Sequence, residues 1–161
     1  MICVLNDKGI ITNILDSPYL GKPNTVPRYE WNNLWEQYTD VEPIEHLKTR
    51  MLNELNTAHE KAESEAYVVS SLGFTIDADN RANRDIDGIL KTIGNGTVMF
   101  CDYENEFHEL NRAQCETLQV EIIQNAQALY AQKWAYRAQV EGAESVDELN
   151  AIEFTFSHLS F

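Results

Sequence analysis

The segment Asp77-Ala78-Asp79-Asn80-Arg81-Ala82-Asn83 sets oxygen donors at alternate positions, the arrangement a hard cation such as calcium needs. The rest of the pattern is missing. Arg81 stands at the fifth position in place of an oxygen donor, Ala82 at the sixth where the turn wants glycine, and Gly88 at the twelfth where a bidentate glutamate belongs. Capping of a following helix by Asp77 or Asp79 explains these carboxylates better. A second acidic group, Asp102, Glu104, Glu106 and Glu109, reads as a solvated hairpin tip. His46, His59, His108 and His158 lack the close spacing of a zinc site, and no cysteine set accompanies them. Cys3, Cys101 and Cys115 are odd in number and far apart, which fits reduced structural thiols, and Cys115 beside Glu116 lacks the positive surroundings that activate a nucleophile.

Other chemistries fail for similar reasons. Gly94-Asn95-Gly96 is too short for a phosphate loop and has no lysine after it. Asn95-Gly96-Thr97 matches a glycosylation acceptor, but no secretory signal accompanies it. Carboxylates abound, yet glycoside hydrolysis needs two of them held at a defined separation across a cleft, which spacing along the chain does not show. No catalytic, cofactor-binding or metal-binding residue is assigned, and a non-enzymatic protein is expected.

With 26 Asp and Glu against 12 Lys and Arg, the 161 residues carry a formal charge of -14, which opposes a non-specific hold on nucleic acid or anionic membrane. Apolar residues make up 43% and charged residues 24%, a globular composition. No apolar run approaches the roughly 20 residues of a membrane span. Asn6 and Asp7 follow Met-Ile-Cys-Val-Leu too soon for a signal peptide, so a soluble product is expected.

Two β-branched runs, Ile2 to Leu5 and Ile10 to Leu15, flank Asn6-Asp7-Lys8-Gly9 and predict a hairpin that must lie on another surface. Residues 16–40 mix prolines with Tyr19, Tyr29, Trp31, Trp35 and Tyr38 and read as an irregular connector. Its rings either complete the core or form a partner-binding patch. Pro43 opens a helix whose positions Ile44, Leu47, Met51, Leu55, Ala58, Ala62, Ala66 and Val69 carry one apolar stripe to about Ser70. Phe74-Thr75-Ile76 is strand-like, and Asn80 to Ile93 is a helix stopped by Gly94-Asn95-Gly96. Thr97 to Cys101 and Glu106 to Leu110 predict a second hairpin.

Asn111 with Gln114 forms a capping box for the longest helix, closed by Gly142, whose apolar side is Leu118, Ile122, Leu129, Tyr136 and Val140 with Cys115, Ala126 and Trp134 nearby. Ser145 with Glu148 opens a short final helix, and Phe154-Thr155-Phe156 alternates like an edge strand. The expectation is an α+β fold, mainly helical, with two long helices, one medium and one short, and small hairpins. Residues 1–40 form an attachment arm and residues 41–161 the domain.

The order of parts from Ile44 to Phe154 resembles a domain of unknown function often found near the C-terminus of bacteriophage tail and tail-fibre proteins. It rests on a charged helix with His59-Glu60-Lys61-Ala62-Glu63, then Gly73-Phe74-Thr75-Ile76-Asp77-Ala78-Asp79, a polar helix start at Asn80, Gly96 to Phe100, and Asp102 to Phe107. An Asn111-started helix then reaches Tyr130-Ala131-Gln132-Lys133-Trp134, and Ala143 to Leu149 closes the series. Where a tryptophan is expected in the second hairpin, this chain has Phe100 and Tyr103. The resemblance carries no catalytic residues and implies a virion setting. The expected role is then a structural component of a phage tail, fibre or tail tip, made in the host cytoplasm. It binds other tail or fibre proteins through Tyr29, Trp31, Trp35, Phe154, Phe156 and Phe161, and is compatible with homo-oligomers. A tail-fibre assembly chaperone is the alternative, and a polysaccharide hydrolase the third reading.

Overall fold

The computed structural model describes residues 2–5, 11–15, 25–27 and 44–161. Strand β1 (Ile2–Leu5) pairs antiparallel with β2 (Ile11–Leu15), Ile2 opposite Leu15, with a register shift between Val4 and Leu5. The expected hairpin is therefore present. On the other edge of β1 lies β3 (Thr25–Pro27), Cys3 opposite Val26. This strand corrects the reading of residues 16–40 as wholly irregular. The sheet order β2-β1-β3 puts Pro27 at the end of an edge strand, the place where a residue without an N–H is tolerated. Tyr29, Trp31 and Trp35, and the boundary expected at residue 40, lie outside the described residues.

The elements that follow are α1 (Ile44–Ser64), β4 (Tyr67–Val69), β5 (Thr75–Asp77), α2 (Asn80–Thr92), β6 (Thr97–Cys101), β7 (Phe107–Asn111), α3 (Arg112–Gly142) and α4 (Val146–Asn150). The described residues form an α+β fold dominated by helices of 21, 13, 31 and 5 residues. The first of these ends six residues earlier than its periodicity implies. Ser64 Oγ and the Glu65 N–H both bond the Lys61 carbonyl, and the chain then turns into a hairpin. Ala66, Val68 and Ser70 are buried while Tyr67 and Val69 are exposed, a period of two that belongs to a strand. Ala66 and Val69 meet helical spacing only by coincidence. Tyr-Val-Val is aromatic and β-branched, and it pairs with β5 across a turn in which Gly73 has φ of 93°, a conformation natural to glycine.

The caps follow the residue types. Asp79 accepts the Ala82 N–H at 2.7 Å, and Asn111 and Gln114 make the reciprocal box on α3. Ser145 accepts the Glu148 N–H, but the Glu148 carboxylate takes the N–H of Glu144, one residue before the cap. Helix α3 packs against both α1 and α2. One buried cluster joins Val68, Ile76, Ile86, Leu118, Ile122 and Leu129; a second joins Leu47, Met51, Val140 and Leu149. Ala126 and Trp134, expected on the apolar side of α3, are exposed instead. At 100° per residue the inner stripe through Leu118, Ile122, Leu129 and Val140 leaves Trp134 pointing the opposite way.

Candidate interaction surface

Several polar side chains of α3 lie on its inner side, and the elements they face explain why. Glu121, 4% exposed, accepts hydrogen bonds from Ser70 Oγ at 2.6 Å, the Ser71 N–H at 3.1 Å and Ser71 Oγ. It thereby holds the turn between β4 and β5. Further along, Asn125 is fully buried and accepts the Leu159 N–H at 2.8 Å. Gln132 exchanges two bonds with Ser157, donating to its carbonyl and accepting from its N–H, each at 2.8 Å. Tyr136 donates to the Thr155 carbonyl at 2.8 Å and accepts the Thr155 N–H at 3.2 Å. These side chains, spaced four, seven and four residues apart, line up on one side of α3 and supply the partners a neighbouring strand would supply.

The C-terminal segment therefore runs antiparallel to α3 and nearly straight. Eleven residues of helix from Asn125 to Tyr136 rise about 16 Å, and four extended residues from Thr155 to Leu159 reach about 14 Å. Phe154-Thr155-Phe156 is thus extended but is not a ladder strand. The segment joins a sheet only at its end, where Ser160 bridges Val69 in parallel and Phe161 N–H donates to the Val69 carbonyl at 2.9 Å. Phe154 and Phe156 are half-buried: the first packs on the Leu47–Val140 cluster, the second on the larger core between the rings of His59 and Tyr136. Phe161 is 44% exposed.

In an extended chain successive residues present their backbone groups to opposite sides. Thr155 and Ser157 present both groups to α3, while Leu159 donates its N–H to Asn125 and its carbonyl accepts the Val69 N–H at 3.3 Å; Phe154, Phe156 and His158 present theirs to the other side. No described residue pairs with those groups. Phe154, Phe156 and His158 also line a groove of about 460 Å³ together with Ala58, Lys61, Ala62, Glu65, Tyr67 and Tyr103. A larger concavity of about 930 Å³ runs along the outer face of α1, from His46 to Lys61, and gathers no cluster of nucleophiles or bases among the described residues.

The remaining titratable groups act as packing pieces. Asp102, at the start of the β6–β7 turn, accepts the Glu106 N–H at 2.8 Å and lies 2.7 Å from His108 Nε2, whose ring stacks on Phe74 at 3.9 Å. The His108 hydrogen bond holds the Asp102 carboxyl below the usual range, against desolvation. The dyad clasps the hairpin to Phe74, and the neighbouring Cys101 thiol is directed to the Asp102 backbone carbonyl, at 3.8 Å, instead of to the dyad's side chains. His59 is 3% exposed between α1 and α3, with Nδ1 3.4 Å from Glu63 and Nε2 without a hydrogen-bond partner. Desolvation lowers its pKa more than Glu63 and Glu60 raise it, with Lys133 lowering it further. Burial lowers the His158 pKa and raises that of the Cys115 thiol. Among the described residues no group of three or more His, Cys, Asp or Glu could hold a metal. No helix among them is long and apolar enough to cross a membrane.

Of the residues singled out from the sequence, Phe154, Phe156 and Phe161 share one extended segment. Tyr29, Trp31 and Trp35 lie outside the described residues. The reading from sequence passed over Glu121, Asn125 and Gln132, although their three- and four-residue spacing with Leu118, Ile122 and Leu129 marks them as inward.

A family model described as Domain of unknown function (DUF4376) matches residues 46–155, about two thirds of the chain. The chain belongs to this family. No curated protein and no solved structure matches it. The DUF4376 match spans α1 to Thr155, so it includes the Tyr136 end of the α3 contacts and stops before Ser157 and Leu159. The three-stranded sheet of β1 to β3 also lies outside the DUF4376 match.

Proposed function

We propose that this DUF4376 protein is a non-enzymatic structural component of a bacteriophage tail, associated with the fibre or tip, working through contacts with other tail or fibre proteins. The observation that carries the contact role is the C-terminal segment, whose open edge at Phe154, Phe156 and His158 borders a groove with aromatic walls. An extended edge of this kind accepts a strand from a partner, and rigid rings anchor it. Phe154 and Phe156 already pack on their own core, so their part in such a contact is the backbone edge, while Phe161 offers its ring. The polar groups of α3 support the same reading, since the buried Glu121 and Asn125 and the half-buried Gln132 hold segments in place. The virion setting is what the resemblance to a domain of phage tail and tail-fibre proteins implies.

Mass-spectrometric quantification of purified particles, combined with cross-linking, tests the reading. Stoichiometric presence with cross-links from the C-terminal segment to a tail or fibre protein supports it. Recovery only with free fibre protein in lysates, and never in particles, replaces it with an assembly chaperone. A substrate turned over by the pure protein sinks both.

A further inference from the structure

We infer that the outward face of α3 pairs with the same face of a second copy of this chain, antiparallel, about a two-fold axis near Gln127. Val120, Ile123, Tyr130 and Trp134 are 52%, 40%, 51% and 51% exposed. With Gln127 they fall at intervals of three and four residues, which is the seam of a coiled coil, on the side of α3 opposite its buried stripe. A helix that is apolar on two sides has one side more than the described residues cover. The neighbouring rings already form a platform: Tyr130 meets Trp134 edge-on at 6.0 Å, and the Arg137 guanidinium lies 5.4 Å from the Trp134 ring.

Charge selects the occupant. A chain of -14 repels its own copy over most of its surface, yet between Glu116 and Arg137 the charged residues of α3 are Glu121, which is buried, and Lys133, half-buried at the flank. The seam is bracketed by Arg112 with Glu116 at 2.9 Å and Arg137 with Glu141 at 2.8 Å, each pair neutral in sum. Glu63 and Asp79, which line the groove beside Ile123, Gln127 and Tyr130, join these pairs at the border, so a seam poor in charge meets a charged rim, as is typical of interfaces.

Direction follows from the same residues. In a parallel pair Trp134 meets Trp134, Glu116 meets Glu116 and Arg137 meets Arg137. In the antiparallel pair the Trp134 ring of one copy lies over the smaller Val120 of the other, Ile123 lies beside Tyr130, and Arg137 faces Glu116. Gln127 then meets its own symmetry mate, and an amide both donates to and accepts from its copy. The seam from Val120 to Trp134 is about 21 Å long, shorter than a standard interface, so the dimer is concentration-dependent. The inference does not rest on the virion setting.

Sedimentation of the full chain from about 1 μM to about 300 μM, concentrations that bracket a weak interface, tests this. The expected result is a reversible monomer–dimer equilibrium. Trp134→Lys and, separately, Val120→Lys weaken it by at least about tenfold with unchanged circular dichroism. Glu116→Arg weakens the dimer at low salt, and adding Arg137→Glu restores it, because the swapped charges again face each other across the axis. A chain monomeric at every concentration overturns the inference, as does a dimer indifferent to both lysine variants. A dimer that the charge swap fails to restore overturns the antiparallel arrangement. Absence of the protein from phage particles strikes the proposed function and leaves this equilibrium untouched.

Discussion

The two sides of α3 differ less in polarity than a helix on a core usually shows, because polar residues share the inner side with Leu118, Ile122, Leu129 and Val140. Its inner side holds Glu121, Asn125 and Gln132, and its outer side holds Val120, Ile123, Tyr130 and Trp134. The inner polar groups are stable there because each meets backbone or hydroxyl groups, and at Glu121 and Asn125, which are buried, removal of either side leaves a buried group unsatisfied. The outer apolar groups cost little in a monomer, since a large share of any folded surface is apolar. Which side of a helix is buried thus depends on the segments that must be accommodated as well as on hydrophobicity. Where both sides look similar in composition, amphipathic bias cancels and the polar residues become the better guide.

The largest effect is expected at Glu121. Glu121→Ala removes the acceptor for three hydrogen bonds at the β4–β5 turn and should cost about 3 kcal/mol. Chemical denaturation measures it, and Glu121→Gln, which keeps the shape and one acceptor, should lose clearly less. If alanine proves harmless, the inner polar side is not holding the turn. Asn125→Ala comes next, at about 2 kcal/mol, because it strands the Leu159 N–H and leaves a small cavity. Hydrogen exchange should show faster exchange at Ser157 and Leu159 with little change in α2, so uniform loosening of the whole domain would mean that the segment is not docked as a unit.

Much of this architecture is legible in the residues themselves, and the misses have local causes. The helix starts at Asn80 and Arg112 are written in Asp79, Asn111 and Gln114, which make short-range bonds that need no tertiary context. The end of α1 is hidden because Ala66 and Val69 continue its spacing although Tyr67 to Val69 pair with β5, a decision taken by partners further along the chain, from Thr75 to Asp77. β3 is hidden by Pro27, a residue that argues against strands except at an edge. The C-terminal segment is legible as extended but not as docked: its partners are side chains of a helix, and the alternation of Phe154 and Phe156 looks the same whether the pairing comes from a sheet or from Tyr136 and Gln132. Among the candidate contact residues, the exposure of Phe161 and the partial burial of Phe154 and Phe156 depend on that docking.

Acid should loosen the same segment by a smaller amount. His59 and His158 both have pKa values lowered from 6.5 by burial, and both touch the segment or belong to it. Well above pH 6.5 both are neutral in the folded and the unfolded chain, so their ionisation leaves stability flat. As pH falls below 6.5 the unfolded chain takes up protons first, and stability declines until the folded values are passed. Asp102 acts lower: its stabilisation is complete above 3.8 and is lost as pH falls through its depressed folded value. Urea midpoints measured from pH 7.5 to pH 5 should fall in the wild type and fall less in His59→Gln with His158→Gln. Parallel slopes in both proteins would assign the acid sensitivity to other groups.

The smallest expected change in fold stability sets the outer side apart from the inner. Val120→Ser and Trp134→Ser each remove an exposed side chain, so at concentrations where the chain is monomeric the free energy of unfolding should change by no more than about 0.5 kcal/mol. A loss of several kcal/mol would mean that these residues belong to the core of the domain, and the contrast between the two sides of α3 would disappear. A near-zero effect on the monomer, together with a large effect on the dimer, separates the residues that fold the chain from those that join two chains. Tyr130 tests the border: its ring also meets His59 at 5.9 Å, so Tyr130→Ser should fall between the two classes and cost more than Trp134→Ser in the monomer.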